Sequence, residues 1–293
     1  MHANKMISEV WFWSLGGILT ILTVLGNTLV IYLILSRKRL RNTVNWLLFS
    51  LALADLCVGL THFPTMACNS ASLCSKCVTT ALRWLFLNLS MTNLCALTAD
   101  RYMAIVTPLK YTVFKAKRRH LFFISAAWIL PFVVHFAPFT WMYCAGMKNA
   151  VRHFLTVLLF VFKLPPFLLL FTACSRTLYI AQIQKKRERI RLSQLRFNGL
   201  SRQNINTVRL QGQAKTFAKA LGIIVMIFLI CYAIDIARLI CYTFYCSKSI
   251  PWLFLPVQQL LFVCNSAINP MVYAFFKQDI RSELKRFVKC CVS

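Results

Sequence analysis

One carboxylate, Asp55, stands in the middle of an apolar run, Val44–Ala67. An ionised carboxylate held away from water is costly unless it is neutralised, paired or bound to a cation. Asn27, Ser90, Asn93, Asn265, Ser266 and Asn269 interrupt other apolar runs in the same way. Their hydroxyl and amide oxygens are hard ligands that, beside Asp55, suit a small cation. They suit equally a polar network that glues helices together, and residue types alone leave both readings open. Two more constellations stand near run ends. In Asp100-Arg101-Tyr102, followed by Pro108, an acid adjoins a base, so the two can pair while the Arg stays available to another partner. In Asn269-Pro270-Met271-Val272-Tyr273 the Pro removes a backbone donor and distorts a helix. No paired-Asp or Ser/His constellation and no plausible set of zinc ligands stands in the apolar runs, so an enzyme is not expected.

Such residues need long apolar elements to hold them. The 293 residues are 59% hydrophobic and 14% charged, against about 45–50% and about 25% in ordinary globular domains. That excludes a soluble domain and a disordered chain. The 13 Cys are scattered through apolar runs, which excludes a small disulfide-rich module. Seven runs reach spanning length: Trp11–Leu35, Val44–Ala67, Val78–Val106, Leu121–Tyr143, Phe154–Ala181, Phe217–Phe244 and Trp252–Phe276. They must be helices, since a helix satisfies its own backbone in lipid, and the alternation of a membrane barrel is absent. The expected fold is all-α, a seven-transmembrane bundle. It divides into a short outer segment 1–10, a membrane domain 11–276, and an amphipathic helix with a short tail at 277–293. The first run has no Ala-x-Ala site behind it and reads as a retained anchor.

A net charge of +27 resembles that of a nucleic-acid binder, but 26 of the 34 Lys and Arg lie at Arg101 and in alternate connections that share one side. The positive-inside rule makes that side cytoplasmic and the N-terminus extracellular, where a basic face suits anionic lipids. Nucleic acid is therefore not an expected partner. The basic segment Gln182–Gln213 begins as a helical extension of the fifth span and otherwise reads as a solvated loop. Past the seventh span, Phe276, Ile280, Leu284 and Phe287 form an apolar stripe among Lys and Arg, the pattern of an interfacial helix. Cys290 and Cys291 follow it and are candidates for palmitoylation, the alternative being two free thiols.

With these motifs in order, the chain resembles the rhodopsin-like (class A) G-protein-coupled receptors. The resemblance runs from Gly26-Asn27 to the terminal cysteines, through Leu51-Ala52-Leu53-Ala54-Asp55, Asp100-Arg101-Tyr102, Trp128, Pro166 and Asn269-Pro270-x-x-Tyr273. It implies a plasma-membrane receptor that passes binding of an extracellular ligand to a heterotrimeric G protein. It implies a sodium ion held by Asp55, Ser90, Asn265 and Asn269, and a G-protein contact at Arg101. It also implies a disulfide from the top of span three to the second outer loop, for which Cys77–Cys144 is chosen and Cys74 stays an alternative. The competing reading is a transporter or channel built on the Asp55 and Asn cluster. That reading lacks internal repeats and matched Gly/Pro-broken spans, and it leaves Asp100-Arg101-Tyr102 unexplained.

Several positions depart from the family pattern. Span six reads Cys231-Tyr232-Ala233-Ile234 where the family has Cys-Trp-x-Pro, and Cys174 replaces a Tyr of span five. The position matching the Asp of amine receptors is Arg83, and the position matching the retinal Lys of opsins is Val263. A typical amine receptor and a retinal opsin are therefore not expected. Arg83 lies eighteen residues, or five turns, from Arg101 on the same face of span three. The ligand pocket is expected at Arg83, Trp84, Leu87, Lys163, Tyr232, Asp235, Gln259 and Phe262. Its two cations against one carboxylate suit an anionic ligand; the open alternatives are that Arg83 and Asp235 neutralise each other or reach outward to water, or that Arg83 stays unpaired and offers its fork to a carboxylate or phosphate. The tail after Tyr273 carries only Ser282 and Ser293 as hydroxyl residues, so arrestin recruitment is expected to be weak.

Overall fold

The structure, a computed structural model, describes residues 2–73, 75–106, 116–197, 222, 224–241, 244 and 254–292. Among these every regular element is a helix. Helix α1 is His2–Ser36, α2 Thr43–Ser70 and α3 Lys76–Val106. Helix α4 runs through Ala116–Leu130, a π-helical turn at Pro131–Phe136, and Ala137–Cys144. Helix α5 runs through Lys148–Val157, a second π turn at Leu158–Lys163, and Leu164–Phe197. Helix α6 is Ile224–Cys241, α7 Phe254–Phe276 and α8 Gln278–Val292. The start of the expected sixth span, residues 217–221, lies outside the described residues, as do Cys74 and Pro108.

Five of these helices (α1, α2, α4, α6 and α7) are long and apolar enough to cross a membrane by length and composition. Helices α3 and α5 are as long but carry Arg83, Asp100, Arg101 and Lys163, so their chemistry dilutes their hydropathy. The bundle is ordered by packing: α1 against α2 and α7, α2 against α3, α3 against α4 and α5, and α8 folded back on α1 and α7. Leu33, Ile34, Leu48, Leu51, Leu94, Leu97, Tyr273 and Ile280 fill the shared core. Large apolar side chains such as Leu25, Phe122, Ile129, Leu169 and Phe275 point outward. In water so much exposed apolar surface would drive association; in a bilayer it is simply solvated.

Local chemistry shapes the rods. The Asn45 amide donates to the Asn42 side chain at 2.9 Å, which caps α2. Hydroxyls inside the helices donate to the carbonyl one turn back, as Thr23 does to Leu19 and Thr98 to Leu94, so they need no water. A Cβ on Gly26 would stand 3.0 Å from the Pro270 ring, which explains the glycine where α1 crosses α7. A Cβ on Gly222 would come within 2.5 Å of Leu178, and the Cys174 thiol donates to the Gly222 carbonyl at 3.4 Å. Helices α5 and α6 therefore meet closely where the family pattern has a Tyr.

The interfacial stripe is corrected at its first residue. Ile280 is buried, and Leu284 and Phe287 pack on the core, but Phe276 ends α7 with its side chain exposed. The chain breaks at Lys277, so the new helix starts at Gln278, two residues later than the stripe implies. Cys290 and Cys291 fall in its last turn.

Candidate functional site

Asp55 is fully buried, and three donors from two other helices converge on it. Ser90 of α3 and Ser266 of α7 donate to Oδ1 at 2.5 and 2.7 Å, and Asn269 donates to Oδ2 at 2.7 Å. On α7 it is Ser266, singled out beside Asn265 in the sequence, whose hydroxyl bonds Asp55 directly. The Asn265 Oδ1 is buried with no donor and its residue lines a small cavity, together with Ser90 and Ser266. The Asn27 amide joins the network by donating to the Ser266 carbonyl at 3.2 Å. One layer toward Asp100, Trp128 Nε1 donates to Ser50 Oγ at 2.8 Å, and Ser50 donates to Asn93 Oδ1 at 2.6 Å. The Asp55 cluster and this Trp–Ser–Asn relay tie α1, α2, α3, α4 and α7 together through polar groups alone.

At the far end of α3 the Asp100 carboxylate pairs with the neighbouring Arg101 guanidinium. His120 Nε2 and the Arg119 guanidinium approach its other oxygen at 3.1 and 3.5 Å. Adjacent-residue pairing was readable in the sequence; the contribution of α4 was not. Tyr102 receives a hydrogen bond from Arg176 of α5 at 3.5 Å. Beside them, the nearly buried Lys277 donates to Asn45 and, at 2.7 Å, to Asp279, while Asn45 also donates to Asp279 at 3.2 Å. This knot at the α7–α8 break was missed, because a Lys next to an amphipathic segment reads as solvated. Burial pulls Lys277 below the ordinary lysine range, opposed by Asp279. Burial alone would raise Asp279, but Lys277, the Asn45 amide and the Ile280 backbone N–H together hold that carboxyl below its usual value.

The expected ligand pocket is partly assembled. Trp84, Leu87, Lys163, Tyr232, Asp235 and Phe262 line one cavity, and Arg83 and Gln259 do not. The expected pairing of Arg83 with Asp235 is not made. Asp235 is held instead by Lys163, by Arg238 at 3.1 Å, and by the Gln258 amide at 2.8 Å. Lys163 reaches it because its side chain leaves α5 from the end of a π turn. Arg238 is three residues along α6, a spacing visible in the sequence; Gln258 comes from α7 and is not. The Lys163 ammonium also lies 5.5 Å from the centres of the Trp84 and Tyr232 rings, and Arg238 5.4 Å from Trp84. Tyr232 stacks on Phe228 and Phe167. Arg83 is half-buried and donates to Thr80 Oγ1 at 3.3 Å, and among the described residues its Nε has no acceptor. The cavity itself holds only about 30 Å³, so the ion pair and the stacked rings nearly fill it.

Cys77 and Cys144 form a disulfide that closes 67 residues of chain, and Cys68 is disulfide-bonded as well. The expected pair is therefore the one made, at the same end of the bundle as Arg83.

Residues 26–273 match the family described as 7 transmembrane receptor (rhodopsin family). The chain is 28% identical to the adenosine receptor A2a of Cavia porcellus over 93% of its own length and 71% of the relative's. It is 25% identical to the octopamine receptor beta-1R of Drosophila melanogaster, covering 93% of this chain and 60% of that one. It is 28% identical to the 5-hydroxytryptamine receptor 6 of Mus musculus, covering 92% and 69%.

Proposed function

Because the chain belongs to the rhodopsin family of seven-transmembrane receptors, we propose that it is a plasma-membrane receptor that converts binding of an extracellular ligand into activation of a heterotrimeric G protein. The observation that carries this reading is the polar core on Asp55, where α2, α3 and α7 meet at one carboxylate. Such a junction can be repacked by a charge change at its centre, which a passive scaffold does not need. The Arg101 end faces the cytoplasm, as the basic connections require, and the Cys77–Cys144 end faces outward, where disulfides persist. At the cytoplasmic end Arg101 leaves Asp100 for the G protein, and His120 and Arg119 keep the carboxylate company when it does. Tyr273, Asn269 and Pro270 carry the change along α7, and Tyr232 replaces the usual Trp as the aromatic beside the pocket.

Asp55 is also the allosteric sodium site of this reading. Ser90 and Ser266, which bond Asp55, and Asn265 also line the cavity that holds the Lys163–Asp235 pair, and their oxygens beside the Asp55 carboxylate are hard ligands for a small cation. A sodium ion there would neutralise Asp55 and hold α2, α3 and α7 in their resting packing.

The ligand is anionic rather than aminergic. Lys163 and Arg238 already meet the Asp235 carboxylate, so an ammonium would have to displace a cation. Arg83 stands outside that pair and offers its fork to a carboxylate or phosphate. The narrow cavity requires the ligand to part the Trp84, Tyr232 and Phe262 side chains, which is how binding would reach α6. Cys290 and Cys291 receive palmitate, and their double Ser variant should lose metabolic labelling while still reaching the surface. The receptor reading itself is tested by nucleotide exchange on purified G proteins, driven by a panel of anionic, peptide and lipid compounds in receptor-bearing membranes. Exchange in any G protein class supports it; solute flux through the purified protein in liposomes, without exchange, would replace it with the transporter reading.

A further inference from the structure

Where α2, α3 and α7 meet in the outer half of the bundle, two side chains carry polar atoms that the fold leaves unmet. His62 of α2 is 1% exposed, and among the described residues neither ring nitrogen makes a well-aligned hydrogen bond. Arg83 of α3 keeps its buried Nε–H in the same condition while its Nη2 donates to Thr80. The Arg83 guanidinium lies within electrostatic reach of the His62 ring, and the Gln259 side chain of α7 stands beside that ring. The rest of the junction is apolar: Val58 and Phe63 of α2 and Val263 of α7 are buried, with Leu87 of α3 packed against them. Buried polar groups without partners are rare in folded proteins, and each calls for an occupant or a role.

Charge narrows the occupant first. An arginine inside a membrane bundle pairs with an acid or reaches water, and Asp235 is already held by Lys163, Arg238 and Gln258. Of the 34 Lys and Arg, 26 lie at Arg101 and in the basic connections, which leaves eight for the outer side and the spans, against Glu9 and Asp235. An excess of one sign raises the local concentration of small counter-ions. Hydrogen-bonding capacity narrows it again. The junction offers the Arg83 Nε–H, at least one N–H of the imidazole in either charge state, and the Gln259 amide. Converging donors suit an acceptor with no proton of its own, which a water is not. Size narrows it last. A carboxylate or phosphate would have to open the apolar packing around a ring that is 1% exposed, and the cavity on Asp235 is lined by neither His62 nor Arg83.

We infer that a single-atom anion, a halide, binds between α2 and α3 on Arg83 Nε and the His62 ring. Chloride is the halide that the medium outside a cell supplies. The ion meets the guanidinium charge that no carboxylate reaches and gives the buried donors their acceptor. In the receptor reading, on which this last step rests, it is the resting counter-ion of Arg83, and the anionic group of the ligand replaces it.

The test is thermal unfolding of the purified full-length protein in detergent. Sodium and ionic strength are held constant while chloride replaces gluconate, so the Asp55 cluster sees no change. Saturating chloride is expected to raise Tm by about 2–4 °C, and bromide should do the same. Arg83→Gln and His62→Phe should each erase the increment. Lys76→Gln, which removes an exposed cation at the start of α3, should keep it, because it alters the outer field and not the site. Should the first two variants fail to fold, the anomalous signal of bromide in wild-type crystals decides, with a peak expected in contact with Arg83 Nε and the His62 ring. Equal stability in chloride and gluconate, or bromide found only elsewhere, overturns the assignment and leaves water as the partner of these atoms. An increment that survives Arg83→Gln, or that is lost equally in Lys76→Gln, overturns it in favour of a general field effect. None of these readouts needs a ligand or a G protein, so the ion site stands or falls separately from the receptor reading.

Discussion

Asp235 has three partners and Lys163 has one carboxylate, and that inequality orders the effects of substituting them. Asp235→Ala strands a nearly buried ammonium on two aromatic faces. Lys163→Met leaves the carboxylate with Arg238 and Gln258. Removing one member of a buried pair costs about 3–5 kcal/mol, so Asp235→Ala should approach that range in detergent thermal stability and Lys163→Met should cost clearly less. Lys163→Met with Asp235→Asn should recover part of the loss. Arg83→Ala, which breaks a hydrogen bond to Thr80 and leaves Asp235 with its partners, should express at the wild-type level and lose response to anionic agonists. Equal damage from Asp235→Ala and Arg83→Ala would restore the pairing that the sequence suggested. At the other polar centre, Asp55→Asn keeps an acceptor for Ser90 and Ser266 while deleting the charge. It should therefore abolish any dependence of agonist affinity on sodium without unfolding the bundle. Wild-type affinity that is indifferent to sodium would make the cluster helix glue alone.

The elements explain which of these contacts could be read from the sequence. Asp55, Ser90 and Asn269 were legible because a lone polar residue in an apolar run has nowhere to go but inward. Five regular turns place Arg83 on the face of Arg101, but a face names a direction and not a neighbour. The neighbour was decided by the π turn at Leu158–Lys163, which re-aims α5 and brings Lys163 to α6. No residue pattern announced that turn, and the same holds for the π turn at Pro131. The α7–α8 break was hidden differently, since Lys277 is buried only because Asn45 and Asp279 wait for it. That knot yields a pH prediction. Asp279 has a carboxyl held below its ordinary value in the fold, so its contribution is present above the unfolded pKa and is lost as pH falls through the lower folded value. Lys277→Met removes the main lowering influence and leaves burial, so the loss should move to higher pH. Hydrogen exchange of 278–289 across an acid titration would record this as earlier deprotection of α8 in the variant. Superimposable profiles for the two proteins would mean that α8 is held by Ile280, Leu284 and Phe287 alone.

For the molecule as a whole, the decisive quantity is where its charge lies. Of the 34 Lys and Arg, 26 lie at Arg101 and in alternate connections of the sequence, so in the proposed orientation that side meets anionic lipid and any partner that binds there. A G protein needs only a cleft among the helix ends. Arrestin recognition by a phosphorylated tail needs a cluster of hydroxyl residues, each phosphate adding roughly −1.5 to −2 charge. After Tyr273 the chain offers Ser282 and Ser293. Ser282 is a poor substrate, because its hydroxyl donates to the Asp279 carbonyl at 2.8 Å within α8, half-buried against the bundle. A phosphate on Ser293 alone would be drawn to Lys285, Arg286 and Lys289 of the same helix. Recruitment driven by these two residues should therefore be weak, and a proximity assay should find truncation after Phe287 nearly silent. What recruitment there is should fall on Ser193, near the end of α5, and on Ser201 and Thr207 after it in sequence, and a triple Ala variant should remove most of the signal. Strong recruitment that vanishes with the last six residues would show that one phosphate suffices, and that the basic face screens it less than its charge implies.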